Sequence, residues 1–159
     1  MRKKNKKFNS KNNNKCKWYY DACALDKKVD IYNKIYSCKK RNTISLTSAL
    51  SIGEAYKNCY YKGNDQVNDF VSLINKMSSK YGLEIVSNKD IDKQFTKIRE
   101  KFDHLSITDA IHFATAIRHE CEILVSIDND FTGLNKKDVE GVAKELGLKK
   151  FSILDLNKK

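Results

Sequence analysis

The chain has 159 residues, no proline and six glycines, with 40% hydrophobic residues and a formal net charge of +11. That length and apolar content provide for one core-forming domain, and no apolar run approaches the roughly 18 residues of a membrane span. Five cysteines without CxxC spacing argue against a zinc site or a disulfide framework, and a cytoplasmic protein is expected.

The charge is unevenly placed. Residues 1–17 carry eight Lys/Arg and no acid, leaving 23 basic against 20 acidic residues in the rest of the chain. MRKKNKKFNSKNNNK is Lys/Asn-rich with Phe8 as its one large apolar group, so residues 1–16 are expected to be a disordered basic tail before a domain spanning 17–159. Such a tail is either a solubilising extension or an electrostatic arm for nucleic-acid phosphates.

The predicted elements then alternate. KWYYDA is a strand ending at Asp21, and Leu25, Val29, Tyr32 and Tyr36 give the next segment one helical apolar face. TISL (43–46) is a strand, after which Thr47 or Ser48 caps a helix reaching about Tyr60. Gly63-Asn64-Asp65 breaks the chain before an amphipathic helix marked by Val67, Phe70, Val71, Ile74, Met77 and Tyr81. LEIV (83–86) is a short strand, and Ile91, Phe95, Ile98 and Phe102 form the stripe of the following helix. Ser106 starts a helix running to about Arg118, EILVSI (122–127) is a strand, a polar helix covers about 136–146, and FSIL (151–154) closes the chain as a strand. This alternation predicts an α/β fold, a three-layer α/β/α sandwich around a mainly parallel sheet. Ligands bind such sheets beyond the carboxyl ends of the strands. No GxGxxG or GxxxxGK[ST] segment supports a nucleotide cofactor.

Four acidic residues follow or interrupt apolar runs: Asp21, Glu54, Asp109 and Asp128. Each has an ordinary explanation. Asp21 can cap the helix it precedes, Asp109 can complete a capping box with Ser106, Glu54 can face solvent, and Asp128 with Asp130 can form a polar turn. Brought together, however, the four carboxylates would repel unless a cation neutralised them, and hard oxygen ligands suit Mg²⁺ or Mn²⁺. The three histidines do not form a zinc motif, and His112 and His119 are expected on a helix surface. Lys57, Arg99 and Arg118 are solvated cations or phosphate contacts. Tyr60 and Tyr61 belong either to packing or to base stacking.

The sequence resembles the PIN-domain nuclease family, including the VapC-type toxins. The resemblance rests on WYYDACAL, on the Ser48-to-Glu54 spacing, and above all on LSITDAIHFATAIRHECEILVSIDNDF (105–131). That last segment is similar to the family's DA-containing helix followed by a strand and T-x-D-x-D-F, with Ser126 in place of the usual Thr. Two departures are the basic tail and a long segment at 134–150. The resemblance implies metal-dependent hydrolysis of RNA phosphodiester bonds. One or two Mg²⁺ or Mn²⁺ ions would be held by Asp21, Glu54, Asp109 and Asp128, with Thr108 and Ser126 behind them. Asp130 is either a further ligand, a residue that supports the ligands from behind, or a helix cap. RNA, a protein antitoxin and a second copy of the chain are the implied partners. A catalytically inactive RNA-binding or scaffold protein on the same fold is the competing reading, although an inactive site need not keep all four acids. A receiver-like phosphoacceptor domain fits poorly, since LEIVSNKD has no Asp at its strand end.

Overall fold

A computed structural model of the chain describes residues 15–158. The expected disorder of the basic tail falls almost wholly outside them. Five strands, β1 (Lys17–Tyr20), β2 (Ile44–Ser48), β3 (Leu83–Val86), β4 (Ile123–Ser126) and β5 (Ser152–Asp155), form one sheet in the order β3-β2-β1-β4-β5. Every pairing is parallel. Parallel neighbours need crossovers, and helices supply them. The helices are α1 (Ala22–Asp26), α2 (Lys28–Lys40), α3 (Ala49–Tyr60), α4 (Asn64–Tyr81), α5 (Asp92–Lys101), α6 (Ile107–Arg118), α7 (Asn129–Thr132) and α8 (Lys136–Glu145).

Side chains alternate across a strand, and the central strands use this to feed two cores. Tyr19 and Leu124 join the core built with α5, α6 and α8, where Phe113 stacks on Phe151 with centroids 5.2 Å apart. Their neighbours Tyr20 and Val125 enter the opposite core, with Leu25, Ile31, Ile35, Phe70 and Met77 from α1, α2 and α4. The result is the expected three-layer sandwich. Trp18, Tyr19 and Tyr20 therefore serve packing, with both tyrosines fully buried.

Three local expectations need correction. The helix after Asp21 is two helices, because the chain turns at Lys27, which caps α1 and begins α2 with φ −85° and ψ 62°. The turn resets the helical phase, so α2 buries Ile31, Ile35 and Cys38 while Tyr36 is 41% exposed and Tyr32 lies at the rim against Tyr81. Second, Asp128 and Asp130 lie at the start of the short helix α7 and not in an open turn. Third, Tyr60 and Tyr61 are 62% and 75% exposed, which removes the core from their possible roles. Among the described residues no helix is long and apolar enough to cross a membrane.

Candidate metal centre

The chain leaves β1 toward β2 and β3 on one side, then returns to place β4 and β5 on the other. The sheet order thus reverses between β1 and β4, opening a crevice at their carboxyl ends. Asp21 follows β1 directly and extends its ladder, its N–H donating to the Val125 carbonyl at 3.3 Å. Asp128 lies two residues beyond β4. Glu54 comes from the middle of α3 and Asp109 from the first turn of α6. All four line one cleft of about 320 Å³, together with Cys23, Lys57, Asn58, Ser106, Thr108 and His112.

Asp21 is the buried member, at 2% exposure. Its Oδ1 accepts the Ala24 N–H at 2.8 Å, capping α1, and its Oδ2 accepts the Ser126 hydroxyl. Ser126 also accepts the Asp128 N–H at 2.9 Å, so one hydroxyl ties the loop after β4 to the carboxylate after β1. Burial pushes the Asp21 carboxyl up from its ordinary 3.8 to about 7. The negative charges of Asp128 and Asp109 push the same way, against the two hydrogen bonds. Burial, then the charges of Asp21 and Asp128, also push the neighbouring Cys23 thiol up to about 12.

The other carboxylates are half-buried. Asp128 caps α7 through the Asp130 N–H at 2.9 Å, and the Cys23 thiol donates to its Oδ2 at 3.9 Å. Ser106 caps α6 by accepting the Asp109 N–H at 3.0 Å, and its hydroxyl donates to the Asp109 carboxylate at 2.6 Å, so Asp109 braces the cap. Glu54 is bonded to His112, with Oε2 and Nε2 2.6 Å apart. Asp130 is exposed and does not line the cleft; its backbone N–H is what holds Asp128.

Capping and cleft lining are therefore not alternatives for Asp21, Asp109 and Asp128; each takes part in both. Among the described residues no three His, Cys, Asp or Glu side chains are drawn into a ready-made cation cage. The carboxylates instead take hydrogen bonds from the protein, Asp21 from Ala24 and Ser126, Glu54 from His112, Asp109 from Ser106 and Asp128 from Asp130 and Cys23. The donor set nevertheless fits a hard divalent cation. It is rich in carboxylate oxygen, and its buried member gains proton affinity from the neighbouring charges that a cation would offset.

His112 corrects the sequence expectation. It is 2% exposed, not a surface residue. The signal was present in its surroundings: AIHFATAI is apolar or small on every face, and a helix apolar all round is buried. His119, at the C-terminal cap of α6, is half-exposed and contacts the Ser87 carbonyl at 3.0 Å. Of the three cations weighed from sequence, Lys57 lines the acidic cleft, Arg99 donates to the Leu105 carbonyl, and Arg118 lines a separate cleft at the amino ends of the strands.

The comparisons with known proteins agree with this architecture. No curated protein matches the sequence. Among solved structures, a chain of VapBC2 from Rickettsia felis, bound to a DNA fragment from their promoter, superposes with a TM-score of 0.58 at 15% identity. It covers 87% of this chain and 99% of that one. PAE2754 from Pyrobaculum aerophilum superposes with a TM-score of 0.54 at 18% identity, covering 87% and 90%. At these identities the likeness is one of fold. The PIN domain family model matches residues 27–137, more than half of the sequence, and the chain belongs to the PIN domain family.

Proposed function

We propose that this PIN domain is a nuclease that hydrolyses RNA phosphodiester bonds with one or two Mg²⁺ or Mn²⁺ ions, and that it is the toxin of a toxin–antitoxin pair. The observation that carries this reading is the gathering of Asp21, Glu54, Asp109 and Asp128, from four separate parts of the chain, in one cleft at the point where the sheet order reverses. Asp21, Asp109 and Asp128 would hold the ion, and Glu54, on its longer side chain, would hold a second ion or orient water. A bound divalent ion lowers the pKa of its water and offsets the charge that develops on phosphate oxygens. Ser126 keeps Asp21 and Asp128 in mutual register, which fixes two of the proposed ligands before any ion arrives. Lys57 also lines the cleft and would meet a phosphate there.

Pairing with an antitoxin is proposed from the VapC-type resemblance and from a structural neighbour that comes from a VapBC complex. RNA is proposed as substrate over DNA on the same resemblance, so the test includes both. Purified protein is incubated with total RNA and with single-stranded DNA of matched length, in Mg²⁺, in Mn²⁺ and in EDTA, and the cut ends are mapped. Site-specific RNA cuts that require the metal are expected. Asp109→Asn is expected to lower that cleavage at least a hundredfold while leaving the circular dichroism spectrum unchanged. Cleavage that persists in EDTA, or at wild-type rate in Asp109→Asn, would overturn the assignment.

A further inference from the structure

The hydrogen bonds of His112 reach from the acidic cleft to the centre of the sheet. Its Nε2 lies 2.6 Å from Glu54 Oε2. Its Nδ1 lies 3.1 Å from the Tyr19 hydroxyl and 3.2 Å from that of Ser51. Those two hydroxyls are 3.0 Å apart, and both contact the Ser48 hydroxyl, at 2.9 and 3.2 Å. Tyr19, Ser48, Ser51 and His112 are all buried. The ring is thus gripped from behind by hydroxyls of β1 and of the start of α3, and presents its far nitrogen to the cleft. A carboxylate only accepts, so Nε2 donates to Glu54, and Nδ1 faces hydroxyls that can either donate or accept, so both ends of the ring are satisfied.

Spacing makes the arrangement possible. Ser51 and Glu54 are three apart on α3, and Asp109 and His112 are three apart on α6, so each pair shares a helix face. Helix α6 therefore supplies one cleft carboxylate itself and grips another that belongs to α3. The grip engages Oε2 of a side chain that also lines the cleft. A Glu side chain otherwise retains rotamer freedom that binding would have to remove. Held this way, Glu54 is ordered before a cation or water arrives.

We propose that His112 is a positioning residue that fixes Glu54 for cation binding in the cleft, through the buried hydroxyl cluster of Tyr19, Ser48 and Ser51. The proposal rests on reading the cleft as a metal centre. Two polar substitutions separate positioning from simple helix cross-linking. His112→Asn keeps a polar group near the hydroxyls but is too short to reach Glu54. His112→Gln extends an amide toward the Nε2 position. Mn²⁺ affinity is measured by isothermal titration calorimetry on folded protein, with thermal unfolding followed in parallel. His112→Asn is expected to weaken Mn²⁺ binding about tenfold, the usual scale for losing a partner of a metal ligand, and His112→Gln to restore most of it. In a Glu54→Ala background, His112→Asn is expected to change the affinity no further, because its effect runs through Glu54.

A cross-link alone would lower the unfolding temperature of both variants and leave the Mn²⁺ affinity of the folded fraction at the wild-type value; that result overturns the proposal. So does an equal loss from His112→Asn in the Glu54→Ala background. Wild-type protein that binds no Mn²⁺ would overturn the metal reading and this inference with it, whereas wild-type binding with either result above overturns the inference alone. Should His112→Asn not fold, His112→Phe, which fills the space of the ring without a hydrogen bond to Glu54, decides: about a tenfold loss of Mn²⁺ affinity in the folded Phe variant supports the proposal, and wild-type affinity there sinks it.

Discussion

Asp21 shows how a single carboxylate can cap a helix, line a cleft and still cost the free protein stability. The unfolded chain holds the Asp21 proton to about pH 4 and the folded one to about pH 7, so between those values the native state binds the extra proton. Stability therefore falls as pH rises from about 4 to 7, by up to roughly 4 kcal/mol for a shift of about three units. Asp21→Asn keeps an acceptor for Ala24 and removes the buried charge. It is expected to raise the urea midpoint of metal-free protein at pH 8, with the advantage closing as pH is lowered to 4.5. Mn²⁺ should raise the unfolding temperature of the wild type at pH 8 and not that of the variant. A variant less stable than wild type at pH 8 would show that the carboxylate is not strained by burial. The candidate carboxylates were legible because each interrupts an apolar run. His112 was not, because histidine in a helix reads as polar until the residues around it are seen to leave no solvent face. Nor was the dual use of Asp21 and Asp109 visible: capping and cleft lining compete as explanations in sequence but coincide in space.

At the scale of elements, periodicity located nearly every strand and helix, since buried parallel strands such as ILVS and amphipathic stripes such as Phe70, Ile74 and Met77 carry strong patterns. The pattern failed where the chain changes direction without glycine or proline. Lys27 separates α1 from α2 through backbone geometry alone, and an unbroken stripe drawn across it selected Tyr32 and Tyr36 in place of Ile31 and Ile35. Helix α7 was missed because four residues are too short for periodicity. That short helix matters, since its first N–H groups hold Asp128, and Gly133 closes it by donating to the Asn129 carbonyl at 2.8 Å. A Cβ on Gly133 would come 2.8 Å from that backbone oxygen, so the turn must move to admit one. Gly133→Ala is expected to destabilise the fold by about 1–3 kcal/mol and to weaken Mn²⁺ binding by shifting Asp128. Gly141→Ala, an exposed position inside α8 with open space around its Cβ, is the contrasting control: it is expected to raise stability by about 0.5–1 kcal/mol and to leave Mn²⁺ binding unchanged in the same denaturation and calorimetry measurements.

Across the whole molecule, the parallel sheet separates two charged ends. The carboxyl ends of β1 and β4 meet the acidic cleft. The amino ends border a cleft of about 710 Å³ lined by Lys15, Lys17, Arg118, Lys149 and Lys150, with Glu120 and Glu122 among them. Lys15 follows directly on the basic segment, so that segment joins the fold at the end of β1 opposite Asp21. Six Lys/Arg lie within residues 2–14. Cys16 belongs to the fold, since its carbonyl accepts the Ile44 N–H at 2.9 Å and continues the β1–β2 pairing, so a truncation should stop short of it. Deleting residues 2–14 is expected to weaken RNA binding at low salt and to flatten the log–log salt slope by up to about 4, at roughly 0.7 per neutralised phosphate on single strands. Because the segment enters at the far end from the carboxylates, metal dependence and cleavage positions should stay as in the full chain. Filter binding from 50 to 300 mM salt, with mapped cut ends, tests both halves. An unchanged slope would make the segment a solubilising extension, and altered cut positions would show that it crosses the molecule to help place the substrate.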